Sequence, residues 1–472
     1  MTRPRVRAMA KRKILLNAFD MNCVGHINHG LWTHPRDRSA RYTDLDYWTD
    51  LARTLERGKF DGIFLADIVG VYDVYGGGPD VALRESVQVP VNDPLLLVPA
   101  MAHATKHLGF GVTANLTYEP PYLFARRMST LDHLTKGRIG WNIVTGYLDS
   151  AARGMGLARQ IGHDERYARA DDYMEAVYKL WERSWDDDAV IRDRDARVFA
   201  RPDKVRRVRH DGPYYSVDAI HLSEPSPQRT PVLYQAGSSA RGVEFAAKHA
   251  ECVFVNGRSK AAARSAAADI RAAAARIGRD PASIKIFAGI TVVTDDNERA
   301  AREKFDEYRR HANPEAGLAH FASSTGIDFS RFGPDEPIAH VKTDAIQSAV
   351  DAISTASATG AWTVRRILEQ MSIGGRYRPL VGSPSQVADA LAAWVEETGI
   401  DGFNVTRTVA PESFDDFVDL IVPELQNRGL YKEDYDAAPT LRAKLFGESG
   451  RLPGWHAGAQ HRFGRERDTG QV

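Results

Sequence analysis

Eight short apolar runs alternate with stretches of helical spacing along this chain, and that alternation restricts the fold more than any other feature. KILLNAF (13–19) is the first strand candidate. DLDYWTDLARTLERGKF (44–60) follows, with Leu45, Trp48, Leu51, Ala52 and Leu55 spaced along one helical face. DGIFLAD (61–67), LGFGVTANL (108–116), RIGWNIV (138–144), PVLYQAG (231–237), ECVFVN (251–256), IKIFAGITVV (284–293) and DGFNVT (401–406) supply the other seven runs. Helices are expected between them over 94–107, 121–134, 165–184, from about Ala240, over 260–277 and over 384–398. Eight strands alternating with helices fit an α/β fold closed into a (β/α)8 TIM barrel better than an open doubly wound sheet, which usually has fewer strands.

The 472 residues exceed what the alternation uses, so the surplus is assigned to insertions at 68–93, 185–230 and 295–383. The last is too long for bare loop and is expected to carry helices, at Ala345 to Ala356 and Thr363 to Met371, and to act as a lid. The barrel is expected over 13–435, after a frayed basic arm at 1–12 and before a C-terminal extension at 436–472. Sixty-two basic residues balance sixty-two acidic ones, which gives no electrostatic argument for nucleic acid or an anionic membrane as partner. The apolar run after the arm is too short for a signal peptide or a span. Two cysteines, Cys23 and Cys252, are too few for a disulfide framework and suit a reducing cytoplasm.

Active sites of such barrels lie at the carboxyl ends of the strands. Here those ends read Asn17 to Asp20, Ala66-Asp67, Thr113 to Asn115, Asn142 to Thr145, Gln235 to Ser239, Asn256-Gly257 and Asn404 to Thr406. Neutral hydrogen-bonding groups and small residues dominate, as a flat, polar-edged, apolar-faced ligand requires; a flavin is one. Competing readings attach to single residues. Asp67 alone is equally a helix cap, Asp164 a cap for a helix starting near Glu165, and Gly76-Gly77-Gly78 a flexible loop. His26, His29 and His34 lack a carboxylate partner at ligand spacing, so they are assigned to loop or pocket wall and no metal is expected. Asp186-Asp187-Asp188 is expected to be solvated surface.

Asp67 after GIFLA, the block GVTANLTYEPPYLFARRMSTLDHLTKGRIGWNIVT (111–145), HDERYARADDYMEAVYKLW (163–181) and EPSPQRTPVLYQAGSSARG (224–242) together resemble the bacterial luciferase-like flavin monooxygenases. The resemblance is strongest to the branch of nitrilotriacetate, dibenzothiophene-sulfone and dimethyl-sulfide monooxygenases, and it weakens across 295–380. It implies a two-component enzyme: reduced FMN as co-substrate from a separate NAD(P)H:flavin reductase, O2 as second co-substrate, and a flavin hydroperoxide that oxygenates a small molecule. FMN contacts carried over by position are Asp67, Thr113, His163, Tyr167, Ser238 and Ser239. Ser238 and Ser239 follow Gly237 at a strand-to-helix turn, where backbone N–H groups can meet a phosphate.

No Rossmann fingerprint is present, consistent with a reductase partner that handles the nicotinamide. Substrate-pocket candidates are Phe19, His26 and Tyr118, with Trp32 and Trp362 below them. The first loop offers His, Asn and Trp rather than several cations, which favours a neutral organosulfur substrate such as dimethyl sulfide; a sulfone, an amine or a halogenated aromatic stays open. Other classes also stay open: a flavin- or deazaflavin-dependent hydride-transfer enzyme, or a noncatalytic flavin-binding protein. A homodimer or homotetramer is expected. Within KGRIGWNIVTGY, the alternation of a strand directs Trp141 outward to the helices and Asn142 and Val144 into the lumen, where Asn142 joins the flavin site directly or by fixing Asp67 or Thr113.

Overall fold

The computed structural model describes residues 12–338, 362–370, 373–375, 377, 379–447 and 449–462. Among them, eight parallel strands form the barrel: β1 (Leu15–Met21), β2 (Gly62–Ala66), β3 (Gly109–Asn115), β4 (Ile139–Val144), β5 (Val232–Gln235), β6 (Cys252–Val255), β7 (Lys285–Thr294) and β8 (Gly402–Thr406). Pairing runs from β6 through β5, β4, β3, β2, β1 and β8 to β7, and a β6–β7 ladder closes the ring. The expected α/β barrel is the observed one.

The barrel is specified by a two-residue alternation with different partners on each face. Outward residues such as Leu16, Ile63, Phe110, Val112 and Trp141 pack on the helices. The Trp141 indole lies 4.5 Å from the Phe124 ring and 6.2 Å from Tyr173, and its Nε1–H donates to Ala114 O at 3.0 Å. Burial of the indole therefore leaves no polar atom unmet. Inward, Phe19, Phe64, Tyr234, Phe254 and Phe287 form an aromatic plug. Glycines make room for it: a Cβ on Gly140 would stand 2.6 Å from the Tyr234 ring. The helix Leu441–Phe446 adds Leu441 and Leu445 to this plug from the amino-terminal end of the barrel.

Several boundaries differ from those expected. β1 starts at Leu15 and continues to Met21. The 94–107 helix divides into a 3-10 turn at Pro94–Leu96 and a helix at Val98–Ala104, because Pro99 has no N–H to continue a helix through this point. The helix expected over 165–184 begins at His163, after Gly162. The 185–230 insertion forms two antiparallel hairpins, Val190–Asp193 with Val198–Ala200 and Val208–Asp211 with Ser216–Ala219. Within 295–383 stand the helices Glu298–His311, Pro314–Thr325 and Val364–Gln370, and the strand Pro379–Gly382, which pairs with Thr291–Thr294 of β7. The helix expected over 345–356 lies outside the described residues.

Candidate active site

A cavity of about 320 Å³ opens at the carboxyl ends of the strands, and its walls are chemically divided. At one end, β5 runs into Gly237, Ser238 and Ser239, and the helix Ala240–His249 begins there with the Ser239 Oγ accepting from Gly242 N at 3.1 Å. No side chain fits at Gly237, whose Cβ would stand 2.3 Å from Gln235 Nε2 and 2.5 Å from the Tyr167 hydroxyl. His163 and Tyr167, one turn apart on the next wall, place their rings 5.2 Å from each other, and both line the cavity. Arg166, buried between them in sequence, lines it too, and its Nη1 donates to Ile161 O at 2.5 Å. A helix N-terminus, an arginine, a tyrosine and two serines are a donor set for phosphate.

The middle of the cavity is floored by Thr113 and Val144 and edged by Asp67, Asn115 and Gln235. Thr113 and Asn142 are register partners on β3 and β4, so the Asn142 amide reaches the Thr113 Oγ1 at 2.8 Å. Asn142 itself stays beneath the cavity surface. Its amide fixes the Thr113 side chain, the second of the two placements its inward facing allowed. Burial raises the Asp67 carboxyl to about 7, against the pull of the Ile68 N–H, with Asp93 pushing the same way as burial. The Gln235 Oε1 is buried without a partner. An unmet acceptor on a cavity wall fits a ligand that brings its own donors, as the isoalloxazine edge does.

The far end is aromatic and neutral. Phe19 and His26 stand edge to face at 4.6 Å, and burial together with the Arg407 guanidinium holds His26 well below its ordinary value, so the ring is uncharged at neutral pH. Tyr72 stacks on His320 at 4.9 Å and donates to Gln88 Oε1 at 2.6 Å, while Tyr147 and Tyr377 complete the wall. Tyr118 does not line the cavity: its hydroxyl is engaged by Gln160 at 2.8 and 3.1 Å, one layer behind. Trp32 is 40% exposed, and Trp362 packs in a separate cluster with Leu318 and Phe321, so neither lines it. His34 turns to Glu307 and His29 to His320, and no group of three metal-ligating side chains converges among the described residues.

Sequence reasoning placed Gln235 on the rim without a role, and it missed Arg166, Tyr72, Gln88, Tyr147, His320 and Tyr377. Arg166 had a signal, because it lies between two residues already assigned to one helix face. Tyr72, Gln88, His320 and Tyr377 come from loops and insertions whose convergence no local spacing encodes.

The model of the family described as luciferase-like monooxygenase matches residues 27–402. The chain belongs to that family. This monooxygenase is 51% identical over 453 residues to the dimethyl-sulfide monooxygenase of Hyphomicrobium sulfonivorans, covering 96% of this chain and 94% of the relative. It is also 51% identical over 454 residues to the long-chain alkane monooxygenase of Geobacillus thermodenitrificans (strain NG80-2), covering 96% and 98%. A crystal structure of long-chain alkane monooxygenase superposes with a TM-score of 0.88 at 50% identity, over 96% of this chain and all of that one. The enzyme is thus a flavin-dependent monooxygenase that uses O2. The cavity fits the flavin: a phosphate donor set at one end, an unmet acceptor on Gln235 at the middle, aromatic rings beyond.

Proposed function

We propose that this monooxygenase takes reduced FMN as a co-substrate from a separate NAD(P)H:flavin reductase and oxygenates a small neutral organosulfur compound such as dimethyl sulfide. Ser238, Ser239, His163, Arg166 and Tyr167 hold the FMN phosphate, and Asp67, Thr113 and Gln235 meet the ring edge. Reduced flavin supplies the electrons that activate O2; the chain's own residues orient it, exclude water and hold the substrate.

One observation carries the substrate class. Among the described residues, the cation on the cavity wall, Arg166, belongs to the phosphate end, while Phe19, His26, Tyr72, Gln88, Tyr147 and Tyr377 line the far end and bring no Lys or Arg. A polycarboxylate would lose its hydration there without partners. Both relatives at 51% identity are named for neutral, apolar substrates, so a long-chain alkane is the competing reading. Two buried free cysteines suit a cytoplasmic enzyme. Exposed Leu123 and Leu222 suit a face between copies in a homodimer or homotetramer, which sedimentation tests directly.

The decisive experiment supplies NADH, then FMN, then any unrelated flavin reductase, with substrate-dependent product read for dimethyl sulfide, a sulfone, an amine, a halogenated aromatic and hexadecane. Turnover is expected only with all three additions, and with the sulfide. Robust NADH oxidation by the chain alone overturns the two-component reading, and oxidation of hexadecane in place of the sulfide overturns the substrate.

A further inference from the structure

The wall residue Tyr377 is carried by a turn just ahead of the strand Pro379–Gly382, whose ladder with β7 begins at Pro379. Its N–H donates to Gly374 O at 2.7 Å, and Gly374 sits at φ +92°, where a Cβ would meet Tyr377 O at 2.1 Å. The ring then lies over Gly289 of β7, where an added Cβ would stand 2.4 Å from it, and 6.4 Å from Phe19. A buried side chain ties this turn to the mouth of the barrel. Asn28, only 5% exposed, accepts from Gly374 N at 2.6 Å and donates to Arg407 O, just beyond β8, at 2.6 Å.

Asn28 is itself fixed from several sides. The buried Arg407 pairs with Asp20 at the end of β1 and donates to Val24 O at 2.6 Å and Cys23 O at 3.1 Å. His29 O accepts from Asn313 N at 2.9 Å, and the His29 ring meets His320 at 3.1 Å. Between these anchors Ile27, a cavity residue, is held at φ +60°, a conformation that a β-branched side chain adopts only where its surroundings impose it. The segment 25–30 is therefore a wedge between the barrel mouth and the long insertion, with Asn28 as its bolt.

We propose that Asn28 is a positioning residue: by locking the Gly374 turn to the end of β8 it holds the Tyr377 ring as a fixed cavity wall, and so sets how much of the O2 consumed ends in product. Tyr377 touches the cavity; Asn28 acts through it. The inference rests on the monooxygenase reading. O2 that takes two electrons from reduced flavin and two protons without meeting substrate leaves as H2O2, and a wall that swings away admits the water and the empty volume that favour this loss.

The test uses the full chain with FMN, an unrelated reductase and dimethyl sulfide, comparing wild type, Asn28→Ala, Asn28→Asp and Tyr377→Leu. Hydrogen exchange at the Gly374 amide is read without flavin, and the ratio of H2O2 to product is read during turnover. Asn28→Ala is expected to speed Gly374 exchange about tenfold, the size of one lost hydrogen bond. It should raise the peroxide ratio several-fold with FMN affinity within about threefold of wild type, since the phosphate donors are untouched. Asn28→Asp keeps the acceptor for Gly374 but loses the donor to Arg407 O, so it should keep most of the exchange protection and still raise the peroxide ratio by unfastening the turn from β8; it carries the test if the alanine variant fails to fold, and an unchanged ratio in it then overturns the proposal. Tyr377→Leu should raise the peroxide ratio with Gly374 exchange unchanged. Unchanged exchange in Asn28→Ala, or faster exchange with an unchanged ratio, overturns the proposal. Absence of product from the wild type would instead refute the substrate, and leaves the exchange result standing as the judgement on Asn28.

Discussion

Replacing Ser239 by aspartate separates two duties of one side chain. The Ser239 Oγ caps the helix Ala240–His249 by accepting from Gly242 N at 3.1 Å, and the same turn is assigned to the FMN phosphate. Aspartate is as good an N-cap as serine, so Ser239→Asp should keep the stability of the chain, whereas Ser239→Ala should lose about 1 kcal/mol with the cap. Affinity should move in the opposite order. A carboxylate bound to Gly242 N stands within about 5 Å of any phosphate held by the same helix start, and at an effective dielectric of about 20 the repulsion per unit charge is about 3 kcal/mol, or two orders of magnitude in Kd. Ser239→Ala forfeits one hydrogen bond, less than about tenfold. Fluorescence titration with FMN and urea denaturation of both variants provide the two rankings. If the aspartate and alanine variants bind FMN equally, the phosphate lies elsewhere and the division of the cavity fails.

Trp141→Ala should cost about 3–5 kcal/mol, read as a lower urea midpoint, since the indole is fully buried among Phe124, Tyr173 and Trp181. Asn142→Leu should stay folded and lose FMN affinity by releasing Thr113; a fully active Asn142→Leu, or a stable but inactive Trp141→Ala, contradicts the assigned facing. Because burial raises the Asp67 carboxyl to about 7, the folded chain holds a proton that the unfolded chain releases near pH 4, so ionising this group lowers stability as pH rises between those values. Flavin-free wild type should therefore lose more stability from pH 5 to pH 8 than Asp67→Asn does, measured by urea midpoints; equal pH slopes would place the Asp67 carboxyl in solvent.

The barrel was legible because each of its strands is a short apolar run and each face has its own partner, so a period of two and a period near four alternate visibly along the chain. That Ser238, Ser239, His163 and Tyr167 meet at one cavity was legible for a related reason: they sit at or near the starts of helices, where sequence position and spatial position coincide. Asn142 was placed on the correct face, but not the depth, because register tells which way a side chain points and not whether its neighbour Thr113 covers it. Tyr118 lies outside the cavity lining, and its hydroxyl bonds to Gln160, forty-two residues away, a pairing that spacing does not encode. The aromatic end was least legible. Tyr72 and Gln88 come from one insertion and His320 and Tyr377 from another, and no local spacing encodes the Tyr72–His320 stack that joins the two.

The long insertion leaves and rejoins the barrel at one place. Thr294, the last residue of β7, is the register partner of Gly382, and its hydroxyl donates to Gly382 O at 3.0 Å. An excursion whose two ends are fastened together can lengthen or shorten at a slow logarithmic cost, about 0.6 kcal/mol per doubling, without pulling on the strands beneath. The length of the insertion is thus free to change while the eight strands beneath it keep their register.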